Sequence, residues 1–202
     1  MGEIILIGAG GHARSCIDVI EASGKYKIAG LIEKNKSNLK ENLNYPIIGA
    51  DDDLERLRTK YSFALVTIGQ IKSPQKRIKL FSLLRRLDFK LPIIISPKAY
   101  ISKYSNIGQG TILMHNSIIN ANTIIGENCI INNKVLIEHD VVVGNHCHVS
   151  TGAIINGNVS VGNQTFIGSG VITKESISIG NNCIIGAGKL VKQNINSNDS
   201  IK

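Results

Sequence analysis

The chain has 202 residues, 43% hydrophobic and 19% charged, so it carries a packed core and is neither fibrous nor disordered. No run of about 18 apolar residues exists to form a spanning helix, and the start MGEIILIGAGGHARS lacks the character of a secretory leader, which points to the cytoplasm and away from a membrane. The net charge of +8 sits almost wholly in residues 1–100, where 17 Lys/Arg face 10 Asp/Glu, while residues 101–190 carry four of each; this suits a solvated surface or an anionic small molecule better than nucleic acid.

Residues 4–7 (IILI) read as a buried strand and 13–22 (ARSCIDVIEA) as a helix with Cys16, Ile17 and Ile20 inward. KIAGLIE at 27–33 is a second strand. Asp51–Arg58 is a short helix opened by three acids, which suit its positive end. FALVTIG at 63–69 is a third strand, and Gln75–Leu87, after Pro74, is a basic amphipathic helix. Alternating strands and helices predict a small parallel α/β unit over 1–97, half of a doubly wound, Rossmann-like sheet.

Between the first strand and the first helix, Gly8-Ala9-Gly10-Gly11-His12-Ala13 fits the GxGxxG/A dinucleotide pattern, and Glu33 closes the second strand where an acidic ribose ligand would stand. The missing second half and the lack of hydride-transfer residues argue against a redox enzyme. Gly8, Gly10 and Gly11 read instead as a nest of N–H groups for an acidic or phosphorylated sugar, or as a tight turn.

From Ile101 the pattern changes. Fifteen hexads run unbroken from 101 to 190, and fourteen of their first residues are Ile, Val or Leu, the exception being Thr173. The fifth place is small or β-branched in all but the last, Lys189. Gly108, Gly126, Gly144, Gly162 and Gly180 recur every 18 residues. Two inward side chains per strip, polar Gly/Asn bends tolerant of positive φ, and three strips per turn predict a triangular solenoid over 98–202 with an aliphatic core. Cys129, Cys147 and Cys183 share the fifth place and should stack inside as small hydrophobes. With no CxxC spacing, neither a metal site nor a disulfide is expected.

The repeat resembles the hexapeptide acyltransferases, which implies a left-handed β-helix. The chain from GAGGHARSCIDVIE through IEHDVVVGNHCHVSTGAIINGNVSVGNQTFIGSG to IIGAGKLVK is similar to one branch of them. That branch holds bacterial sialic acid O-acetyltransferases and N-acetyltransferases of UDP-4-amino-sugars used in surface glycans. It implies an N-terminal domain holding a sugar or nucleotide-sugar, a solenoid holding acetyl-CoA, and a homotrimer with CoA grooves between neighbouring chains.

Acetyl transfer needs a base, an oxyanion donor and a CoA groove. The solenoid offers His115, His139, His146 and His148 as bases. Only His139 lies between two acids, Glu138 and Asp140, either of which can orient its ring. The resemblance places His139 at the catalytic histidine and Asp140 at its acidic partner. It also places His148 and Gly157 against the acetyl thioester, Gly157 through its N–H, and Gly168, Ser169, Gly186 and Ala187 along pantetheine. Lys192 is a candidate for a CoA phosphate, and His12 resembles a residue near the acceptor. His115 and His146 read as solvated turn residues. SNDSIK stands where relatives usually carry a glycine-proline-alanine loop over CoA. The stretch Leu31–Lys36, lacking the Asp pair of UDP-amino-sugar members, and Tyr45–Gly49 lean towards O-acetylation of a sialic-acid-type sugar, with N-acetylation of a UDP-4-amino-sugar as the alternative and a non-catalytic nucleotide-sugar-binding scaffold as a remoter one, against which the EHD triplet argues.

Overall fold

The computed structural model describes residues 1–33 and 41–202. Lys34, Asn35 and Lys36, part of the stretch read for acceptor type, therefore lie outside the described residues. Strand β1 (Gly2–Ile7) lies inside the sheet, with Ile4 to Ile7 buried, and leads into α1 (Gly11–Ser23). Cys16, Ile17 and Ile20 face inward as their spacing requires, and Gly24 ends the helix in the left-handed region at φ 62. Strands β2 (Tyr26–Ile32), β3 (Glu41–Asn42), β4 (Tyr45–Gly49) and β5 (Phe63–Val66) complete a sheet of order β3-β4-β2-β1-β5. All neighbours are parallel except β3 and β4.

Three details depart from the sequence pattern. Strand β4 is an addition to it. Pro46 disguises that strand, because proline is confined to sheet edges and β4 has only the two-residue β3 outside it. The helix expected over Asp51–Arg58 is divided. Asp53 accepts a 2.9 Å hydrogen bond from the Ala50 N–H, which tightens Asp51–Asp53 into a 3-10 turn before α2 (Leu54–Arg58). The third strand of the pattern, β5, stops at Val66. Helix α3 (Gln75–Arg86) forms as expected.

The remainder is a left-handed β-helix of two-residue strands stacked in three parallel sheets. Face A runs from Ile94–Ile95 through Ile112–Leu113, Ile130–Ile131, His148–Val149, Phe166–Ile167 and Ile184–Ile185 to Ser200–Ile201. Face B runs from Tyr100–Ile101 to Leu190–Val191, and face C from Asn106–Ile107 to Ser178–Ile179. Pairing thus begins one strand before the first hexad read from sequence. Successive coils pair at an offset of 18, as Ile118 with Leu136, until the last coil, where Ile185 pairs with Ile201. The inward column from Leu113 to Val191 is one continuous core. Cys129, Cys147 and Cys183 lie buried in it as free thiols.

The bends follow one rule. The fourth place of the hexads, three residues after the inward aliphatic, holds positive φ at Asn116, Asn122, Asn128, Asn158 and Asn182 and at Gly110, Gly152, Gly170 and Gly188. The glycines that recur every 18 residues have a different role from the one expected. They stand at the second place without positive φ, and a Cβ on Gly108 would lie 2.5 Å from the Gly126 carbonyl carbon of the next coil. Their smallness lets coils stack at that edge, and it makes no bend.

The α/β unit docks on the first coils of face A. Ile94, Ile112, Met114 and Ile130 share a core with Ala13, Ile17 and Ile20 of α1. A polar latch reinforces the seam. Arg77, 1% exposed, donates to the Ile68 carbonyl (2.7 Å) on one side and to the Asn128 carbonyl (2.8 Å) and side chain (2.9 Å) on the other. Burial lowers its pKa to about 10.

Candidate active site

His139 sits at the corner between faces B and C, on the turn after Leu136–Ile137. The following residue, Asp140, closes that turn at φ 61, a conformation Asp tolerates better than most. This bend brings the Asp140 carboxylate 2.7 Å from His139 Nδ1. Asn122, one coil earlier, donates to the other Asp140 oxygen at 2.6 Å. The Asn122 hydrogen bond first, and the His139 contact second, hold the Asp140 carboxyl below its usual range. An ionised carboxylate only accepts, so Nδ1 carries a proton, and in the neutral ring it is Nε2 that presents the lone pair.

The Glu138 carboxylate accepts from Asn120 Nδ2 at 2.9 Å, and the ring's hydrogen bond is to Asp140. Glu138 and His139 line an open cleft of about 510 Å³ with Asn156, Gly157, Asn158, Glu175 and Ser176. Gly157 lies one coil along, directly against the imidazole; a Cβ there would be 2.9 Å from both Nε2 and Cε1. Behind it, the inward hydroxyl of Thr173 accepts from the Asn156 N–H at 2.9 Å, and Asn156 Nδ2 donates to the Thr173 carbonyl. Thr173, the one non-aliphatic residue at the first place of a hexad, therefore braces the backbone next to Gly157. That exception is visible in the hexads; its purpose is not.

His148 lies elsewhere. It opens the fourth strand of face A, on the side opposite the corner of His139, under the α/β unit. Its Nδ1–H donates to the Gln70 carbonyl at 2.6 Å, its ring meets Phe166 edge-on, and burial lowers its pKa to about 4. The His12 ring is 6.4 Å away, its pKa lowered to about 3 by burial, then by Arg77 and His148. Both imidazoles are neutral at pH 7. Within one chain the structure joins His148 to His12 and not to His139.

Four of the CoA candidates, Gly168, Ser169, Gly186 and Ala187, occupy a third place, the corner between faces A and B in the later coils, whereas Lys192 follows Leu190–Val191 of face B at the same corner as His139. A Cβ on Gly168 would lie 2.6 Å from the Ala187 nitrogen, so coil stacking itself requires that glycine. Ser169 bonds Ser150 across coils (2.9 Å), while Ala187 and Lys192 are exposed and Gly186 is half-buried. SNDSIK ends in a strand, Ser200–Ile201, paired with Ile184–Ile185.

In the N-terminal turn only Gly8 is demanded by geometry, with φ 112 and the Ile68 side chain 2.5 Å from where a Cβ would stand. A Cβ on Gly10 or Gly11 meets nothing within 4 Å, so their backbone is open to an approaching group. The Ala9 N–H is already taken by the Glu33 carboxylate at 3.0 Å. Buried Asn42 braces the loop, donating to the Ala9 carbonyl at 2.7 Å and accepting from Arg14 at 3.0 Å. His115 and His146, which read as solvated turn residues in the sequence, both have protein partners. His146 packs on Phe81 and bonds Asn128, and His115 bonds Ser96 and Asp18. Among the described residues no group of three or more His, Cys, Asp or Glu side chains is arranged for a metal, and no helix is long and apolar enough to cross a membrane.

Two family models match the chain: PglD N-terminal domain over residues 3–83, and bacterial transferase hexapeptide (six repeats) over residues 104–139. A comparison with curated proteins finds no match. Solved structures do match. The acetyltransferase domain of PglB from Neisseria gonorrhoeae is 25% identical at a TM-score of 0.91, covering 99% of this chain and 96% of that one. Its complex with acetyl coenzyme A is similar at a TM-score of 0.90, 25% identity, and 98% and 94% coverage. A His-to-Asn mutant of perosamine N-acetyltransferase from Caulobacter crescentus, in complex with CoA and GDP-perosamine, is 31% identical at a TM-score of 0.90, covering 98% of this chain and 91% of that one.

Proposed function

Since the chain belongs to the hexapeptide-repeat sugar acetyltransferases and is an enzyme that uses acetyl-CoA, we propose that it acetylates the amine of a nucleotide-linked amino sugar, a cytoplasmic precursor of a bacterial surface glycan. The observation that carries this reading is the Asp140–His139–Gly157 arrangement, with a lone pair on Nε2 facing a backbone stripped of its side chain. The neutral amine attacks the thioester carbonyl, and the oxyanion is met by the Gly157 N–H. His139 Nε2 takes the proton released from nitrogen and returns it to the sulfur as the C–S bond breaks, giving an acetamido sugar and free CoA. Asp140 holds the ring; Glu138, already held by Asn120, lines the cleft.

In this reading residues 1–97 hold the sugar at Gly8, Gly10, Gly11, His12 and Glu33, and residues 98–202 hold acetyl-CoA at Gly168, Ser169, Gly186, Ala187 and Lys192. The similarity to a perosamine N-acetyltransferase supports amine over hydroxyl, reversing the lean drawn from sequence. O-acetylation of a sialic-acid-type sugar is the second reading, favoured by the basic N-terminal half and by Arg14 beside the glycine turn. Mass spectrometry of products from acetyl-CoA with a panel of nucleotide amino sugars and sialic acids separates them. Acetylation of an amine is expected; transfer only to a sialic acid hydroxyl reverses the choice, and transfer to neither rejects both.

The separation of His139 from Gly168, Ser169, Gly186 and Ala187 onto two corners of one prism supports a trimer, in which one chain's corner meets another's across face B. The outward residues of that face, Tyr100, Ile118, Leu136, Ile154, Ile172 and Leu190, form an apolar column along the solenoid, four of them at least 40% exposed. Sedimentation should give three chains per particle. A fully active monomer would reject the shared groove.

A further inference from the structure

A second cavity, of about 400 Å³, opens where α1 crosses the first coils at the corner between faces A and B. It is lined by Asp18 and Ala22 of α1 and by Lys98, His115, Asn116, Asn133 and Lys134 of three successive turns of the solenoid. Neither Lys98 nor Lys134 pairs with a carboxylate among the described residues. The cavity's own carboxylate, Asp18, is 2.8 Å from His115 Nε2, and His115 Nδ1 is 2.6 Å from the Ser96 hydroxyl, so the ring is held from both sides. Asn133 is fixed as well, accepting from the His115 N–H at 3.0 Å.

Lys134 occupies the bend place of its hexad at φ 59, where the solenoid otherwise favours Asn and Gly. A long side chain in that left-handed conformation is strained by its Cβ. Other bulky residues at bends are held by partners: His146 by Asn128 and Gln164 by Gln75. Lys134 has no such partner among the described residues, and it lines the cavity beside Lys98.

We propose that this cavity is a binding site for a phosphoryl group carried on a hydroxylated body. Lys98 and Lys134 neutralise the phosphate, the amides of Asn116 and Asn133 supply further donors, and Asp18 accepts from a hydroxyl of the same ligand, which a bare anion cannot offer. The volume suits a sugar phosphate or one end of a nucleotide. The site shares no lining residue with the cleft of His139.

The test is calorimetry and thermal shift on the whole chain with four probes: inorganic phosphate, CoA, GDP and GDP-mannose. The variants are Lys134→Asn, Lys98→Ala and their combination. Asn suits the left-handed bend, so Lys134→Asn should melt no lower than wild type, and loss of binding cannot then be blamed on unfolding. Binding of at least one of the three organic probes should weaken tenfold or more in the double variant, and its salt dependence should flatten. Weakening with GDP and GDP-mannose points to a nucleotide, and weakening with CoA to the ADP end of the donor. Weakening with inorganic phosphate alone overturns the hydroxylated body and leaves a bare anion site. Binding of every probe unchanged by the double substitution, or no probe binding to wild type, overturns the assignment altogether.

Discussion

His139→Ala should reduce turnover by about 10²–10⁴ while leaving the KM for acetyl-CoA close to wild type. The ring is an exposed turn side chain whose hydrogen bond is to Asp140, so its removal leaves the aliphatic column and the coil pairing untouched. What is lost is the Nε2 lone pair facing Gly157. The size and pH dependence of the residual rate then report on the acceptor. A sugar amine can lose its proton to solvent before attack, so residual activity should climb with pH as the neutral amine accumulates. A hydroxyl has no such route and should stay near the lower limit throughout. Steady-state kinetics across pH on amine and hydroxyl acceptors measures both. Wild-type turnover at neutral pH would remove His139 from the chemistry, and loss of acetyl-CoA binding together with turnover would make it a binding residue.

Gly157→Val should cost about 10²–10³ in kcat, the range seen when an oxyanion donor is removed. The structure adds a cause that the sequence does not reveal. A Cβ at 157 already falls 2.9 Å from His139 Nε2 and Cε1, so the imidazole must swing away before any substrate arrives. Gly157 is not in the left-handed region, so valine meets no backbone penalty there, and the melting temperature should fall only slightly. Gly157→Ala should give a smaller loss in the same direction. Kinetics set beside the melting temperature and the sedimentation coefficient of each variant separates damage to the site from damage to the fold. Normal turnover in a correctly assembled Gly157→Val protein would show that neither the N–H of residue 157 nor the position of the ring matters.

Much of the architecture is legible in the sequence because each hexad repeats the same physical demand. An inward aliphatic at the first place and a small residue at the fifth must recur in phase, or the column opens a void. Leu113, Ile119, Ile125 and their successors are accordingly buried. The bends are legible as Asn and Gly, whereas the role of the 18-residue glycines is not, since φ and close packing leave the same residue type in the sequence. Strand β4 escapes a local reading because a proline and its edge position weaken the signal, although Tyr45–Gly49 pairs once β2 is beside it.

The candidate site divides in the same way. The sequence by itself determined the solenoid, the α/β unit before it and His139 as the base candidate, because those follow from periodicity and from neighbours one residue away. Only the tertiary structure decided which acid is hydrogen-bonded to His139. Glu138 and Asp140 are equally near in the chain, but Asn120 draws off the first and the left-handed bend delivers the second. It also decided that His148 belongs with His12 and Gln70 on face A, and that His115 joins Asp18, 97 residues away, at a second cavity. Such pairings depend on which corner of the prism a residue reaches and on what the α/β unit covers. Both are set by contacts between segments far apart in the chain, which no local pattern encodes.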